Sequence, residues 1–396
     1  MPLRNKGRNN KKTTIMKLNT ILISSLALLL PLTACSGTGK GVSSVEAGES
    51  VSSAEALGAS GYTKTITQKE FNGLKNSCNV EVNYKKGNAC KVVATFDDDA
   101  LYNVDVCVEE GKLVVKSKKN TRSYSSDKSG KVVIDVTAPY ISSISNSGIC
   151  KFTANGMSSA SGLALSNSGI LTISTGNVRC DAYSCANSGQ LEYSGSLSAG
   201  SVGMNNSGAL NMNFGNISSR QRIGIENTGS AKLEFTTMSC QTLKMKNSGS
   251  FDYNGAVRVS GDASLGNYGI CTSKSDYEVG GNLSLTNSGS NKLEGKIKAK
   301  GVSCNVYGSD NDDLDISAES LNLKVSGILD MDLKYKGGDA ELQCYGSGNV
   351  DMDLDCRSFK ASNSGSANIT LRGTSDQTDI KGRGISHIDA SGLNRY

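Results

Sequence analysis

Three acidic runs, "SDNDDLDIS" (309–317), "LDMDLK" (329–334) and "VDMDLD" (350–355), are the stretches best suited to chemistry. Asp313, Asp332 and Asp351 recur at intervals of 19 residues, with Asp315, Asp330 and Asp353 beside them. Carboxylates held in register either repel through screening water and salt or are bridged by a hard cation such as Ca²⁺. Other chemistry is scarce. His387 is the sole histidine and no Cys-x-x-Cys occurs, which excludes a zinc site or a His-dependent triad.

Twelve cysteines are present, and Cys35 stands apart from the other eleven. The leader ending before it has a basic start (Arg4, Lys6, Arg8, Lys11, Lys12, Lys17), an apolar stretch from Ile21 to Leu30, and Leu32-Thr33-Ala34-Cys35. That order resembles a bacterial lipoprotein signal over residues 1–34, with Cys35 the diacylated N-terminus of the mature chain. Either Met1 or Met16 serves as start, because Met16-Lys17 alone supplies a basic n-region. Residues 35–60, rich in Ser, Gly and Ala, read as a flexible tether. The leader holds six Lys/Arg and no acid, so the remainder has 42 − 6 = 36 basic and 37 acidic residues, a net charge of −1. A nearly neutral chain gives no electrostatic footprint for nucleic acid.

The elements that must position these residues show in a repeat. Asn146-Ser147-Gly148 returns as Asn167-Ser168-Gly169, Asn187-Ser188-Gly189, Asn206-Ser207-Gly208, Asn227-Thr228-Gly229, Asn247-Ser248-Gly249, Asn267-Tyr268-Gly269 and Asn287-Ser288-Gly289. The glycine continues in phase through Gly308, Gly327, Gly346, Gly365 (again with Asn363) and Gly384, always 19 to 21 residues apart. Two and four residues after it come pairs such as Leu171 and Ile173, or Leu191 and Tyr193. The positions between are polar. A third apolar site lies about eleven residues before it, as at Val178 and Leu197.

Period-two alternation inside a twenty-residue repeat predicts an all-β chain in which each unit is one coil of three short strands. The architecture is a right-handed parallel β-helix of about 12–13 coils of 19–21 residues over 141–396. Residues 61–140 form an N-terminal β segment that caps the first coil. The Asn, two before the Gly, shares the parity of the inward apolar positions, and Val306, Val325 and Cys344 replace it later. An inward column of Asn146, Asn167, Asn187, Asn206, Asn227, Asn247, Asn267, Asn287 and Asn363 forms a structural amide ladder, with Asn and Gly accommodating a left-handed corner. Eight cysteines (150, 180, 185, 240, 271, 304, 344, 356) also fall in inward phases and read as small buried hydrophobes. Cys78, Cys90 and Cys107 lie outside the repeat, with room for one disulfide among them.

The segment before the repeat carries a resemblance. Phe71 with "NGLKNSCNVEVNY", then "EEGKLVVKSKK" (109–119) and "KVVIDVTAPYISSISNSGI" (131–149), is similar in order to the head GIN domain family of autotransporter-adhesin heads, common in Bacteroidetes lipoproteins. The resemblance covers about 61–396, most specifically 71–170, with Asn-Ser-Gly in place of the family's Ser-Gly-Ser-Gly. It implies a right-handed β-helix and brings no catalytic residues.

The expected protein is a lipid-anchored cell-envelope β-helix in the outer membrane, facing the periplasm or the surface. It binds glycan or protein partners, or serves architecture, and is not an enzyme. The enzyme alternative is a polysaccharide lyase-like carbohydrate-active protein using the outward Asp cluster with Ca²⁺. A lyase needs a cleft, and coils varying by two residues leave no long loop to wall one.

Overall fold

A computed structural model describes residues 62–67, 69–118, 130–383 and 387–395. The leader, Cys35, the tether and Gly384 lie outside the described residues. The base is built from β1 (Tyr62–Thr67), β2 (Gly73–Asn76), β3 (Asn79–Lys86), β4 (Lys91–Phe96), α1 (Asp98–Asn103), β5 (Val104–Glu109), β6 (Lys112–Ser117) and β7 (Val132–Ala138). Above them follow β8 (Ser143–Asn146) and β9 (Ile149–Asn167).

β2 pairs in parallel with β6 and β8, and β3 in parallel with β7 and β9. The solenoid thus begins at β2–β3, inside the stretch that shows no repeat. Below it, β5 runs antiparallel to β6, β4 antiparallel to β7, and β1 antiparallel to β4. Antiparallel pairing closes off the parallel stack, since a bare end coil would expose both its core and its unpaired backbone.

From residue 149 every coil pairs in parallel with the next: Leu171 lies against Leu191, Leu191 against Leu210, and Leu210 against Ala231. The result is a β-solenoid of about 12 turns. The expected three short strands merge into one long run per coil, such as Ile170–Asn187 and Gln190–Asn206. Only between residues 209 and 287 does a second break divide the coil, as after Ser219, Cys240, Val259 and Val279. The runs bend without breaking where glycine takes a positive φ, at Gly195, Gly255 and Gly295.

The interior is a set of vertical columns. Four residues past the corner glycine, Ile173, Tyr193, Met212, Leu233 and Tyr253 stack in register and are buried. All eleven described cysteines are unpaired, including Cys78, Cys90 and Cys107, and nine are buried. Burial pushes the Cys150 and Cys185 thiols up to about 12, so they pack as apolar groups and stay protonated.

The corner glycine is not where sequence reasoning puts it conformationally. None from Gly148 to Gly365 has a positive φ. The requirement is space: a Cβ on Gly308 would lie 2.0 Å from the carbonyl oxygen of Gly289, and one on Gly169 2.1 Å from that of Gly148. Gly308→Ala should therefore lower stability by about 2–4 kcal/mol, read from the denaturant midpoint. Gly203→Ala, where nothing lies within 4 Å, should be neutral or stabilising.

Candidate functional site

Each turn at Asn-Ser-Gly presents one side chain inward and two outward. Inward is the Asn amide. Asn146 Nδ2 donates to Asn167 Oδ1 at 2.9 Å, Asn167 to Asn187 at 2.8 Å, and the chain continues through Asn206, Asn227, Asn247 and Asn267 to Asn287. Every Nδ2 also donates to carbonyl groups, as Asn227 does to Gly229 and Ser250. Both of those partners are acceptors, so the amides all point the same way.

Sequence reasoning missed the first rung. Asn76 Nδ2 donates to Asn146 Oδ1 at 2.8 Å, and Cys78 occupies the glycine place beneath Gly148. "NSC" ahead of an alternating strand was the available signal. Asn363, by contrast, does not join: Val306, Val325 and Cys344 separate it from Asn287, and its Nδ2 donates to the Ala367 carbonyl.

The ladder ends on an acid. Asn287 Nδ2 donates to the Asp310 carboxylate, one coil on, and the Leu293 N–H donates to Asp312 Oδ1 at 2.9 Å. Asp310 and Asp312 sit two and four residues after Gly308, in inward phase, and both are buried. The column two past the glycine, Leu at 171, 191, 210 and 329 and Phe at 251, here reads Cys271, Asn291, Asp310. Small and polar side chains leave a cavity, bordered also by Leu265, Leu285 and Cys304, with about 30 Å³ open to water centres. That is room for one or two waters. Burial is the main cause that pushes both carboxyls up, Asp310 to about 7, and the Asp310 charge adds to the rise at Asp312.

The six outward acids do not form one cluster. Asp313, Asp332 and Asp351 stack in register and are exposed. Asp315 and Asp353 are separated by Lys334 and flanked by Lys296 and Arg372, a column of alternating charge. Asp330 lies between Asn311 and Asn349, and accepts from the Asn349 N–H and Nδ2 at 3.0 Å. Among the described residues no three His, Cys, Asp or Glu side chains converge to hold a metal ion. The carboxylates of the expected Ca²⁺ site are spread along a flat sheet, and Asp315 and Asp353 are flanked by cations in their own column.

The outward corner positions hold a feature that sequence reasoning passed over. The residue before the glycine is Ser or Thr from residue 147 to 248, then Tyr268, Ser288, Tyr307, Ser326, Tyr345, Ser364. Their N–H groups donate to the coil below at one equivalent site, as Tyr307 does to the Asn287 carbonyl and Tyr345 to that of Val325. The three tyrosines are each more than half exposed, and stand on alternate coils. Ile270 and Ile328, just past their glycines, are exposed beside them. The Tyr268 ring comes within 3.6 Å of the Cβ position of Gly266, with Lys246 Nζ 5.7 Å from its centroid, and Tyr345 Oη donates to Gln343 Oε1 at 3.4 Å. Both rings thus lean toward the face that precedes the corner. Reading the positions on either side of each glycine, and not only the inward ones, would have found this row.

A parallel β-solenoid with an amide-filled corner and an aromatic row on its outside defines a surface-presenting rod. The chain belongs to the family described as "Putative auto-transporter adhesin, head GIN domain", whose model matches residues 70–256 and 319–395. Among curated proteins no relative matches. Solved structures with similar chains include a "putative adhesin" from Bacteroides fragilis, 14% identical over 60% of this chain and 95% of that one, with a TM-score of 0.40. A "putative adhesin" and a "Putative lipid binding protein" from Parabacteroides distasonis are 14% and 11% identical. Each covers 84% of this chain, over 98% and 97% of their own lengths, with TM-scores of 0.26 and 0.20.

Two outcomes follow. Asn227→Ala removes both an acceptor and a donor from the buried column, and should cost about 2–3 kcal/mol in denaturant unfolding. For Asp310 and Asp312 the folded carboxyls keep their protons at pH values where the unfolded ones have lost them. Stability should therefore be highest below pH 4 with respect to this pair and fall as pH rises, through about 7 for Asp310 and on for as long as Asp312 keeps its proton. Asp312→Asn should flatten that slope and raise the unfolding midpoint at pH 8.

Proposed function

We propose that this protein is a lipid-anchored binding module of the cell envelope, an adhesive rod held at the outer membrane through Cys35 and touching glycan or protein partners along the Tyr268–Tyr345 corner. The observation that carries the reading is the row itself. Exposed aromatics at one register position on alternate coils hold a fixed spacing along the stack, and large exposed apolar side chains gathered along one edge mark an interaction surface. Membership of a family of adhesin heads agrees with it. The leader supports the anchor: its basic start and apolar stretch end at a small residue before Cys35, and several acyl chains hold a protein at a membrane far longer than one. Among the described residues no helix is long and apolar enough to cross a membrane.

No observation favours the lyase reading. Asp315, Asp330 and Asp353 stand next to Lys or Asn, and although Asp313, Asp332 and Asp351 stack, no three acids among the described residues converge on one point.

Two measurements test the proposal. Cys35→Ser should abolish palmitate labelling and move the chain from the membrane fraction to the soluble fraction; retention in the membrane would remove the anchor. Replacing Tyr268, Tyr307 and Tyr345 together by Ala should strip cells of adherence to mucin- or matrix-coated surfaces while leaving protein level and thermal unfolding unchanged. Undiminished adherence would end the adhesive role of this corner.

A further inference from the structure

The spacing of the row says what kind of molecule fits it. Tyr268, Tyr307 and Tyr345 occupy one register position on alternate coils, with Ser288 and Ser326 between them. Coils rise by one strand spacing, so neighbouring rings are roughly 9.6 Å apart and the row runs roughly 19 Å. Ile270 and Ile328 continue it on the other side of the glycines.

A protein partner is poorly matched. It would be offered single rings separated by serines, not a contiguous apolar patch, and no free strand edge lies at the corner for β-pairing, because each corner N–H is already bonded to the coil below. A flat polymer with the same face returning every second unit is well matched. An extended β-1,4-linked glycan has that form: each residue is flipped relative to the last, and its disaccharide rise is close to two coil steps. The apolar face of every second pyranose would rest on a tyrosine, whose ring supplies an apolar body and whose hydroxyl stays wet. The equatorial hydroxyls would meet the side chains of the preceding face, which in the same coils are Gly266, Thr286, Asn305, Lys324 and Gln343 in register. Amide, hydroxyl and ammonium groups can each donate to a sugar hydroxyl. Gly266 clears space beside Tyr268, and Asn305 stands two residues before Tyr307. No acid occurs among these five.

We infer that the Tyr268–Tyr307–Tyr345 row is a binding site for an extended β-1,4-linked glycan chain, one pyranose face per tyrosine on every second residue. This rests on the adhesive reading of the same corner and names its ligand.

The test is titration calorimetry of the full chain in detergent with cellohexaose and chitohexaose. Maltohexaose serves as the α-linked control, and cellobiose and chitobiose as the short ones. At least one β-linked hexamer should bind tenfold or more tightly than its own dimer and than maltohexaose. Tyr307→Ala should lose tenfold or more in that affinity with no change in thermal unfolding, and Tyr307→Phe should keep most of it. Binding of no β-linked hexamer, equal binding of maltohexaose, or unchanged affinity in Tyr307→Ala overturns the inference. The adhesion assay separates the two levels. If the triple tyrosine variant loses adherence while no β-linked hexamer binds, the glycan assignment falls and the adhesive role stands. If adherence is also unchanged, both fall.

Discussion

Only a hydrogen atom fits between the α-carbon of each corner glycine and the carbonyl oxygen of the glycine one coil below. A Cβ there would sit 1.9–2.2 Å from that oxygen at every corner from Gly169 to Gly365. The approach brings the amide two residues earlier within 2.8–2.9 Å of its counterpart, which turns eight Asn–Asn contacts into one continuous hydrogen-bonded column. A slip of one residue would turn every side chain from one face to the other and break every rung, so the corner holds register for the whole coil.

Where the amide column ends, the chemistry of the interior changes. The aligned amides all turn their N–H side toward the later coils, and at Asn287 the last N–H needs an acceptor. Val306 occupies the next corner position and cannot supply one. Asp310, four residues further along the same coil, reaches the free donor. A carboxylate at the N–H end of a row of aligned dipoles is favourably placed, as at a helix N-terminus. The surrounding apolar walls work against its charge, and burial prevails for both Asp310 and Asp312. From this point on the corner is apolar until Asn363, and the coil settles at 19 residues.

The repeat, the parallel stacking and the inward parity could be read from the sequence because a single glycine marks every coil, and alternation from it sorts inside from outside. Reading stopped where residue type and position disagreed. Asp310 and Asp312 carry acids at inward phases, two and four past Gly308, where residue type speaks for solvent and parity for the interior. The first coil was hidden because Cys78 stands in the glycine place and more than sixty residues of cap separate Asn76 from Asn146. The long β-runs were invisible for another reason. At Gly195 and Gly255 the pairing with the coil below slips locally and resumes at the next residue, so what looks like a turn in composition is a kink within one strand.

The aromatic row belongs at the corner for reasons that follow from the same geometry. On the flat faces each outward side chain has a neighbour one strand spacing above and below, and charges there pair along the column, as Lys334 does between Asp315 and Asp353. Such faces present a dense, self-satisfied polar surface. At the corner the backbone turns, and the tyrosine before the glycine is more than half exposed even where its ring leans toward the preceding face, so it can be approached from outside. The corner is also a place where the chain is tightly held, by the glycine contact at every coil. Binding groups fixed to a rigid edge lose little freedom when a ligand arrives, which favours affinity from few contacts. The glycine contact, which continues at every corner after the amide ladder has ended, thereby determines how far apart three tyrosines stand.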